Sequence, residues 1–312
     1  MKNTSFGKGF LFAFFSFFMW GILPLYWKLL IAVDSLHILA LRILLSLALA
    51  IIPLLIQKNK NWLTVFREPK KAGIMILTAF ILCCNWGLYI WAVNRGHTLE
   101  ASLGYYINPL VSILLGLLFF RERLRPLQWS AAAIALAGVL ILTVLSGALP
   151  WISLALALTF GFYGLLKKKL PLSAMESLGA ETLASAPLGI ALLLFGFGNA
   201  GGSPLPGFTG IQGLAYFAGL PPHTWAILAL CGAVTATPLY CFAQGAKLLP
   251  LSALGFTQFI SPTLQFTVGL FVFHEAFPPR YFAAFGFIWT AVILYVISLS
   301  SKPEKESTNY TN

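Results

Sequence analysis

Charge is scarce in this sequence. Only 9% of its 312 residues are Asp, Glu, Lys or Arg, where soluble domains carry about 25%, and that scarcity argues against a soluble enzyme. Thiol chemistry is equally thin. Cys83, Cys84, Cys231 and Cys241 form no C-x-x-C pair, and adjacent cysteines in an apolar helix behave as small hydrophobes. The four histidines, His37, His97, His223 and His274, are scattered without H-E-x-x-H spacing, so no zinc site is indicated. No G-x-x-x-x-G-K-[ST] loop occurs, which removes ATP as a direct energy source. Alternation of apolar and polar residues over about ten positions, which a membrane β-barrel needs, is missing from stretches such as Ala131 to Leu140. At 59% hydrophobic residues and a mean hydropathy of +0.85, disorder, a coiled coil and a disulfide scaffold are excluded too.

What the sequence does have is apolar length. A helix of about 20 apolar residues crosses a bilayer core, and ten such runs are bounded by charge or turn residues. They lie at about 8–27, 34–56, 72–92, 100–120, 127–146, 149–166, 175–197, 223–244, 252–272 and 278–300. The expectation is an all-α integral membrane protein of ten transmembrane helices with short connections. Lys2 and Lys8 precede the first run, but it is long, bulky and without an A-x-A site, so it reads as a retained helix.

The net charge of +11 is mostly topological. With a cytoplasmic N-terminus, alternate loops place Lys2, Lys8, Lys58, Lys60, Arg67, Lys70, Lys71, Arg121, Arg123, Arg125, Lys167, Lys168, Lys169, Lys247, Lys302 and Lys305 on the inner side. Lys28, Arg95 and Arg280 fall outside, and Arg42 falls within a helix. Both termini are thus expected in the cytoplasm. Nucleic-acid binding loses its motivation, because these cations are spread over short loops without interleaved aromatics. The outer connection from Gly198 to Pro222 reads as a flexible loop near the headgroups, and residues 301–312 as a disordered tail.

The chain also repeats itself. At an offset of 153, Pro109, Gly116, Leu117, Phe120, Glu122 and Pro126 match Pro262, Gly269, Leu270, Phe273, Glu275 and Pro279. Upstream the offset is 151, matching Leu88, Tyr89 and Ala92 to Leu239, Tyr240 and Ala243. Residues 1–148 and 149–300 then hold five helices each, and an odd number inverts the second copy. Inverted repeats around a midplane site are the architecture of alternating-access transport; duplication in a membrane scaffold or enzyme is the other reading. Pro109 and Pro262 fall near mid-helix, where proline removes a backbone hydrogen bond. They are read as helix kinks, serving either to shape the helices or to gate them, with Asn108 and Ser261 placed to compensate.

The pattern Glu122-x-Leu124, Pro126-x-Gln128-Trp129 and Ala137-Gly138-Val139, with Leu41-Arg42 in the second helix, resembles the EamA repeat of the drug/metabolite transporter superfamily. The stretch Asn85 to Asn94, continuing through Gly104-Tyr105-Tyr106-Ile107-Asn108-Pro109-Leu110, resembles its RarD-type branch. The resemblance covers nearly the whole chain. It implies ten helices in two EamA halves, an inner-membrane permease, export of metabolites or drugs and no prosthetic group. The branch is linked by name to chloramphenicol sensitivity. The second half departs from the pattern, with Phe277, Arg280, Tyr281 and Phe282 standing for Leu124, Leu127, Gln128 and Trp129.

Charges inside spans cost about 2.5 to 3.5 kcal/mol each on the translocon scale, which singles out Arg42 and Glu181. Arg42 lies about 12 Å below the outer end of its helix and Glu181 about 9 Å above the inner end of its own. They are expected to line opposite vestibules of one central cavity, Arg42 attracting anions and Glu181 taking cations or a coupling proton; a structural polar contact within each half is the alternative. Asn85, Trp86 and Tyr89 make one polar and aromatic face, with Tyr240 and Gln244 on the repeat partner. Trp20, Tyr105, Tyr106, Asn108 and Gln258 complete the expected pathway, while Trp27, Trp62 and Trp151 read as interfacial. Glu122 and Glu275, at helix ends before prolines, read as turn or capping residues.

Together these readings predict a secondary transporter of a small organic solute in the bacterial inner membrane. A cavity faced by the first, third, fourth, eighth and ninth helices would open by rocking of the halves, with proton or ion coupling or exchange. No cofactor, metal or nucleic acid is expected, and the lipid bilayer is the other partner; a homo-oligomer is left open. A membrane-embedded lipid-linked transferase and a non-transporting structural or regulatory subunit stand as alternatives.

Overall fold

A computed structural model describes residues 2–30, 33, 35–94, 98–146, 151–195, 220–274, 279 and 281–300. Glu275, Arg95, Arg280, the loop residues 198–219 and the tail 301–312 lie outside the described residues. The described residues are helical, with no strand among them. The elements are α1 (Lys2–Lys28), α2 (Ser35–Ile56), α3 (Asn61–Thr64) with the 3-10 turn Val65–Arg67, α4 (Pro69–Asn94), α5 (Thr98–Phe120), α6 (Pro126–Ser146), α7 (Trp151–Lys169), α8 (Ala174–Phe195), α9 (Pro222–Ala229), α10 (Cys231–Leu248), α11 (Leu251–Gln258), α12 (Ile260–Phe271) and α13 (Tyr281–Ser300).

Local chemistry explains several boundaries. Pro69, Pro126 and Pro222 each open a helix, where a missing N–H is harmless and φ is already set. α8 begins with a reciprocal capping box: the Ser173 N–H donates to Glu176 Oε2 at 2.7 Å, and the Glu176 N–H donates to Ser173 Oγ at 3.2 Å. Asn59 Nδ2 donates to the other Glu176 oxygen at 2.9 Å, tying α8 to the chain before α3.

Among the described residues, Ser5–Lys28, Leu36–Ile56, Pro69–Tyr89, Pro126–Leu145, Ala174–Leu194 and Pro222–Leu248 are long and apolar enough to cross a bilayer. Gly104–Phe120 and Phe282–Ser298 are shorter apolar helices. Large apolar side chains such as Leu55, Phe80, Leu118 and Phe271 point outward, as lipid-facing residues do.

Two of the ten expected segments are each built from two helices. The eighth segment is divided at Leu230 into α9 and α10, and the ninth at Phe259 into α11 and α12. The second division has a visible cause. Pro262 has no N–H for the Gln258 carbonyl, and the Phe259 N–H turns back to Phe256 O at 3.3 Å. Pro109 behaves differently, sitting inside α5 without a break. The expected pair of matched bends is therefore unequal.

The chain divides into two compact units, neither following the repeat boundary. The smaller holds α6 and α13, where a Cβ on Gly138 would meet the Ala284 carbonyl oxygen at 2.9 Å. That close approach requires glycine. The larger unit holds the other helices. Within it α1 packs on α10 and α4 on α7; α1 packs on α12 and α5 on α7; α2 packs on α8 and α5 on α11. Trp62, expected at the membrane interface, is instead buried with Leu54, Val65, Met75, Leu170, Leu172 and Ala180. That cluster anchors the turn around α3 beneath α8.

Candidate functional site

The larger unit contains a cavity of about 100 Å³, room for several water molecules. α1 contributes Phe17, Trp20, Leu23, Pro24 and Trp27; α2 contributes Arg42; α4 contributes Asn85, Trp86 and Tyr89. α5 adds Tyr105 and Asn108, α7 adds Phe160, and the α11–α12 pair adds Gln258, Ser261, Pro262 and Gln265. Helices from both halves of the sequence therefore share its wall. Compared with the helices expected to face it, α7 joins the lining and α10 is absent from it, while α2 enters through Arg42.

Arg42 dominates the cavity electrostatically. Its Nε donates to Thr235 Oγ1 of α10 at 3.1 Å, and the guanidinium carbon lies 4.9 Å from the Trp27 ring centroid and 4.3 Å from that of Trp86. Two indoles thus cover the cation, each within the range for cation–π attraction. Among the described residues no carboxylate forms an ion pair with it. Trp27, whose place near a helix end reads as interfacial, is one wall of this arrangement. A cue was available: Trp27 follows Trp20 by seven residues, two turns along the same face of α1.

Two aromatic pairs stand in the wall. Trp20 stands edge-on to Phe160 at 5.6 Å, and Tyr89 edge-on to Tyr105 at 5.6 Å. Polar groups punctuate it. Asn85 Nδ2 donates to Leu156 O at 3.0 Å and Thr159 Oγ1 at 2.8 Å, fixing α4 to α7. Gln258 Nε2 donates to Ser112 Oγ at 2.9 Å, linking α11 to α5. The side-chain oxygens of Asn108 and Gln258, both buried, have no hydrogen-bond partner.

Gln265 was not anticipated. Pro24 cannot donate to the Trp20 carbonyl one turn earlier, and Gln265 Nε2 donates to that carbonyl at 3.2 Å and to Ser261 Oγ at 3.2 Å. A proline four residues after Trp20 and an isolated glutamine in an apolar helix are the signals that sequence reading had to join.

Other expected pathway residues lie elsewhere. Tyr106 donates its hydroxyl to Pro262 O at 3.0 Å, bracing the α11–α12 break. Tyr240 and Gln244 satisfy each other, Gln244 Nε2 donating to Tyr240 Oη at 2.9 Å, and neither lines the cavity. Glu181 follows the alternative reading, a polar contact within its own half of the sequence: it does not line this cavity but forms a buried ion pair with Lys167. The Tyr163 hydroxyl donates to the same carboxylate at 3.4 Å. Lys167 is carried inside by α7, which extends to Lys169.

Glu122 works as a cap. Its two carboxylate oxygens accept from the Leu251 N–H at 2.5 Å and the Ser252 N–H at 2.8 Å, satisfying the first free donors of α11. Lys168 Nζ lies 3.6 Å from Glu122 Oε1 and donates to Leu249 O at 2.6 Å. A Cβ on Gly116 would stand 2.7 Å from Glu122 Oε2, so the glycine leaves room for the carboxylate.

Similarity to known proteins agrees with this architecture. Residues 7–144 match the EamA-like transporter family. The chain is 43% identical over 289 residues to Protein RarD of Streptomyces exfoliatus, covering 92% of this chain and 87% of that one. It is 42% identical over 303 residues to the uncharacterized transporter YojE of Bacillus subtilis (strain 168), covering 96% of each. A solved crystal structure shares the fold, with a TM-score of 0.67 at 19% identity over 94% of this chain and 99% of that one. The chain belongs to the EamA-like transporter family, in its RarD branch, and is a multi-pass membrane transporter.

Proposed function

We propose that this protein exports a small organic solute across the bacterial inner membrane by alternating access, using the Arg42 cavity as its binding site. One observation carries the reading: a single cavity, walled by helices from both halves of the sequence, holds a membrane-embedded cation without a carboxylate partner among the described residues. Intramembrane charge of this kind marks substrate or ion pathways.

Helix pairing supports two inverted five-helix repeats. Exchanging α1 for α7, α2 for α8, α4 for α9–α10 and α5 for α11–α12 turns the α1·α10 contact into α7·α4 and the α1·α12 contact into α7·α5. The same exchange returns α2·α8 and α5·α11 to themselves. Such internal symmetry gives a transporter two related conformations facing opposite sides. The lining residues sit toward the C-terminal ends of α1 and α4 and the N-terminal ends of α2 and α5. The Lys167–Glu181 and Lys168–Glu122 pairs tie the opposite end of the helices. In this reading both termini are cytoplasmic, the paired end is the inner gate, and a proton or ion gradient or simple exchange supplies the driving force.

The test is efflux from liposomes containing purified protein and loaded with a mixture of bacterial metabolites. Selective loss of one or a few solutes, abolished by Trp20→Ala with Asn108→Leu, is expected. Loss no faster than from protein-free liposomes overturns the reading.

A further inference from the structure

We propose that the cavity selects organic anions: a carboxylate seated on Arg42, a flat apolar body against the indole and phenol rings, and an N–H or O–H donor directed at Asn108 and Gln258. This rests on the cavity being the transport site and adds the class of solute it takes.

The anionic end follows from the valence of the guanidinium. Arginine offers five N–H donors in one plane. Arg42 uses its Nε on Thr235, and among the described residues neither Nη group has a hydrogen-bond partner. Trp27 and Trp86 lie within 5 Å of the guanidinium carbon, so the unengaged Nη edge is what remains for a ligand. A carboxylate matches that edge with two parallel hydrogen bonds and brings a negative charge that no described carboxylate gives Arg42. A neutral carbonyl can accept a hydrogen bond there but brings no charge, and a cation is repelled.

The other end follows from two orphaned acceptors. Asn108 and Gln258 are 5% and 4% exposed, and Asn108 Oδ1 and Gln258 Oε1 have no partner. Ser112 Oγ accepts from the Gln258 amide nitrogen, which leaves Oε1 as the unpaired end of that amide. Both residues line the cavity, and a buried acceptor left without a donor favours any ligand that brings one. Aromatic rings in the same lining favour a flat body, which stacks with little loss of conformational freedom.

Three probes separate the parts of the proposal in the full-length protein in nanodiscs. 4-Hydroxyphenylacetate carries the charge, the ring and a donor; phenylacetate lacks the hydroxyl; 4-hydroxyphenylacetamide lacks the charge. Calorimetry is expected to give the tightest Kd for 4-hydroxyphenylacetate, a Kd at least tenfold weaker for its amide, and an intermediate value for phenylacetate. Arg42→Gln should erase the difference between acid and amide, and Arg42→Lys should restore part of it. Gln258→Met should weaken 4-hydroxyphenylacetate by a larger factor than phenylacetate, narrowing the gap between the two acids.

The comparison of acid with amide needs no variant, so it stands even if Arg42→Gln fails to fold. An amide that binds as tightly as the acid, an acid Kd unchanged by Arg42→Gln, or no binding of either acid at millimolar concentration overturns the proposal. Binding is measured without flux, which keeps the two readings apart. Efflux of neutral solutes with no acid binding removes the anion class and leaves transport standing. Acid binding without efflux of any solute does the reverse.

Discussion

Lys167 of α7 pairs with Glu181 of α8 where neither side chain reaches solvent. The second Glu181 oxygen has no partner, so the carboxylate depends on this lysine and on the Tyr163 hydroxyl. Breaking a buried pair by removing one partner strands the other charge and costs about 3–5 kcal/mol. Glu181→Gln should therefore lower the unfolding midpoint in detergent sharply. Lys167→Met combined with Glu181→Leu should recover most of the loss, because an apolar replacement of both partners leaves no buried charge. A double variant as unstable as Glu181→Gln would contradict this account.

The cap on α11 makes a second prediction. Glu122→Ala removes the acceptor for two N–H groups at a helix N-terminus, a loss of about 1–2 kcal/mol. Glu122→Gln should lose less, since an amide still accepts one bond. Gly116→Ala should mimic Glu122→Ala by crowding the carboxylate. Thermal unfolding of the three variants gives the order, and a neutral Glu122→Ala would remove the capping role.

Gly232 tests how closely α2 and α10 approach. A Cβ there would lie 2.6 Å from Leu45 Cβ and 2.8 Å from the Leu45 carbonyl carbon, and backbone cannot step aside as a side-chain tip can. Gly232→Ala should destabilise by about 1–3 kcal/mol through overpacking. Gly73, in α4 with nothing within 4 Å of its added Cβ, should gain about 0.5–1 kcal/mol on the same change. Equal behaviour at the two sites, measured by denaturant unfolding, would refute the packing argument.

Gln265→Leu should leave the Trp20 carbonyl without a donor, at a cost of about 1–3 kcal/mol. Pro24→Ala returns the N–H of residue 24 to that carbonyl. The double variant should then lose less than Gln265→Leu alone, a coupling readable from a double-mutant cycle. Strictly additive losses would show that Gln265 and Pro24 act independently.

These residues also mark what the sequence made legible. Apolar length and the spacing of boundary residues placed the helical segments to within a few positions, because one-dimensional hydropathy is what a bilayer reads. Asn85, Trp86, Tyr89, Tyr105, Asn108 and Gln258 were singled out as polar or aromatic exceptions in apolar helices, and they line one cavity. Trp27 and Lys167 were misplaced for one reason: each lies near a helix end, where sequence distance to the membrane surface says nothing of which neighbour stands alongside. Glu181 could be recognised as a buried charge, but its partner is set by how α7 rotates against α8. Gln265 answers a vacancy made by Pro24 on another helix, and only packing brings them together.

Lys167 and Lys168 are neighbours in the chain yet serve different partners, Glu181 on one side and Glu122 with the Leu249 carbonyl on the other. Consecutive residues on a helix point about 100° apart, so α7 acts as an axle with two spokes. The two lysines therefore fix α7 against α8 on one side and against the start of α11 on the other. Phe160, two turns along the same helix, lines the cavity. One helix thus carries a cavity wall at Phe160 and, two turns on, both of the polar ties that hold its far end.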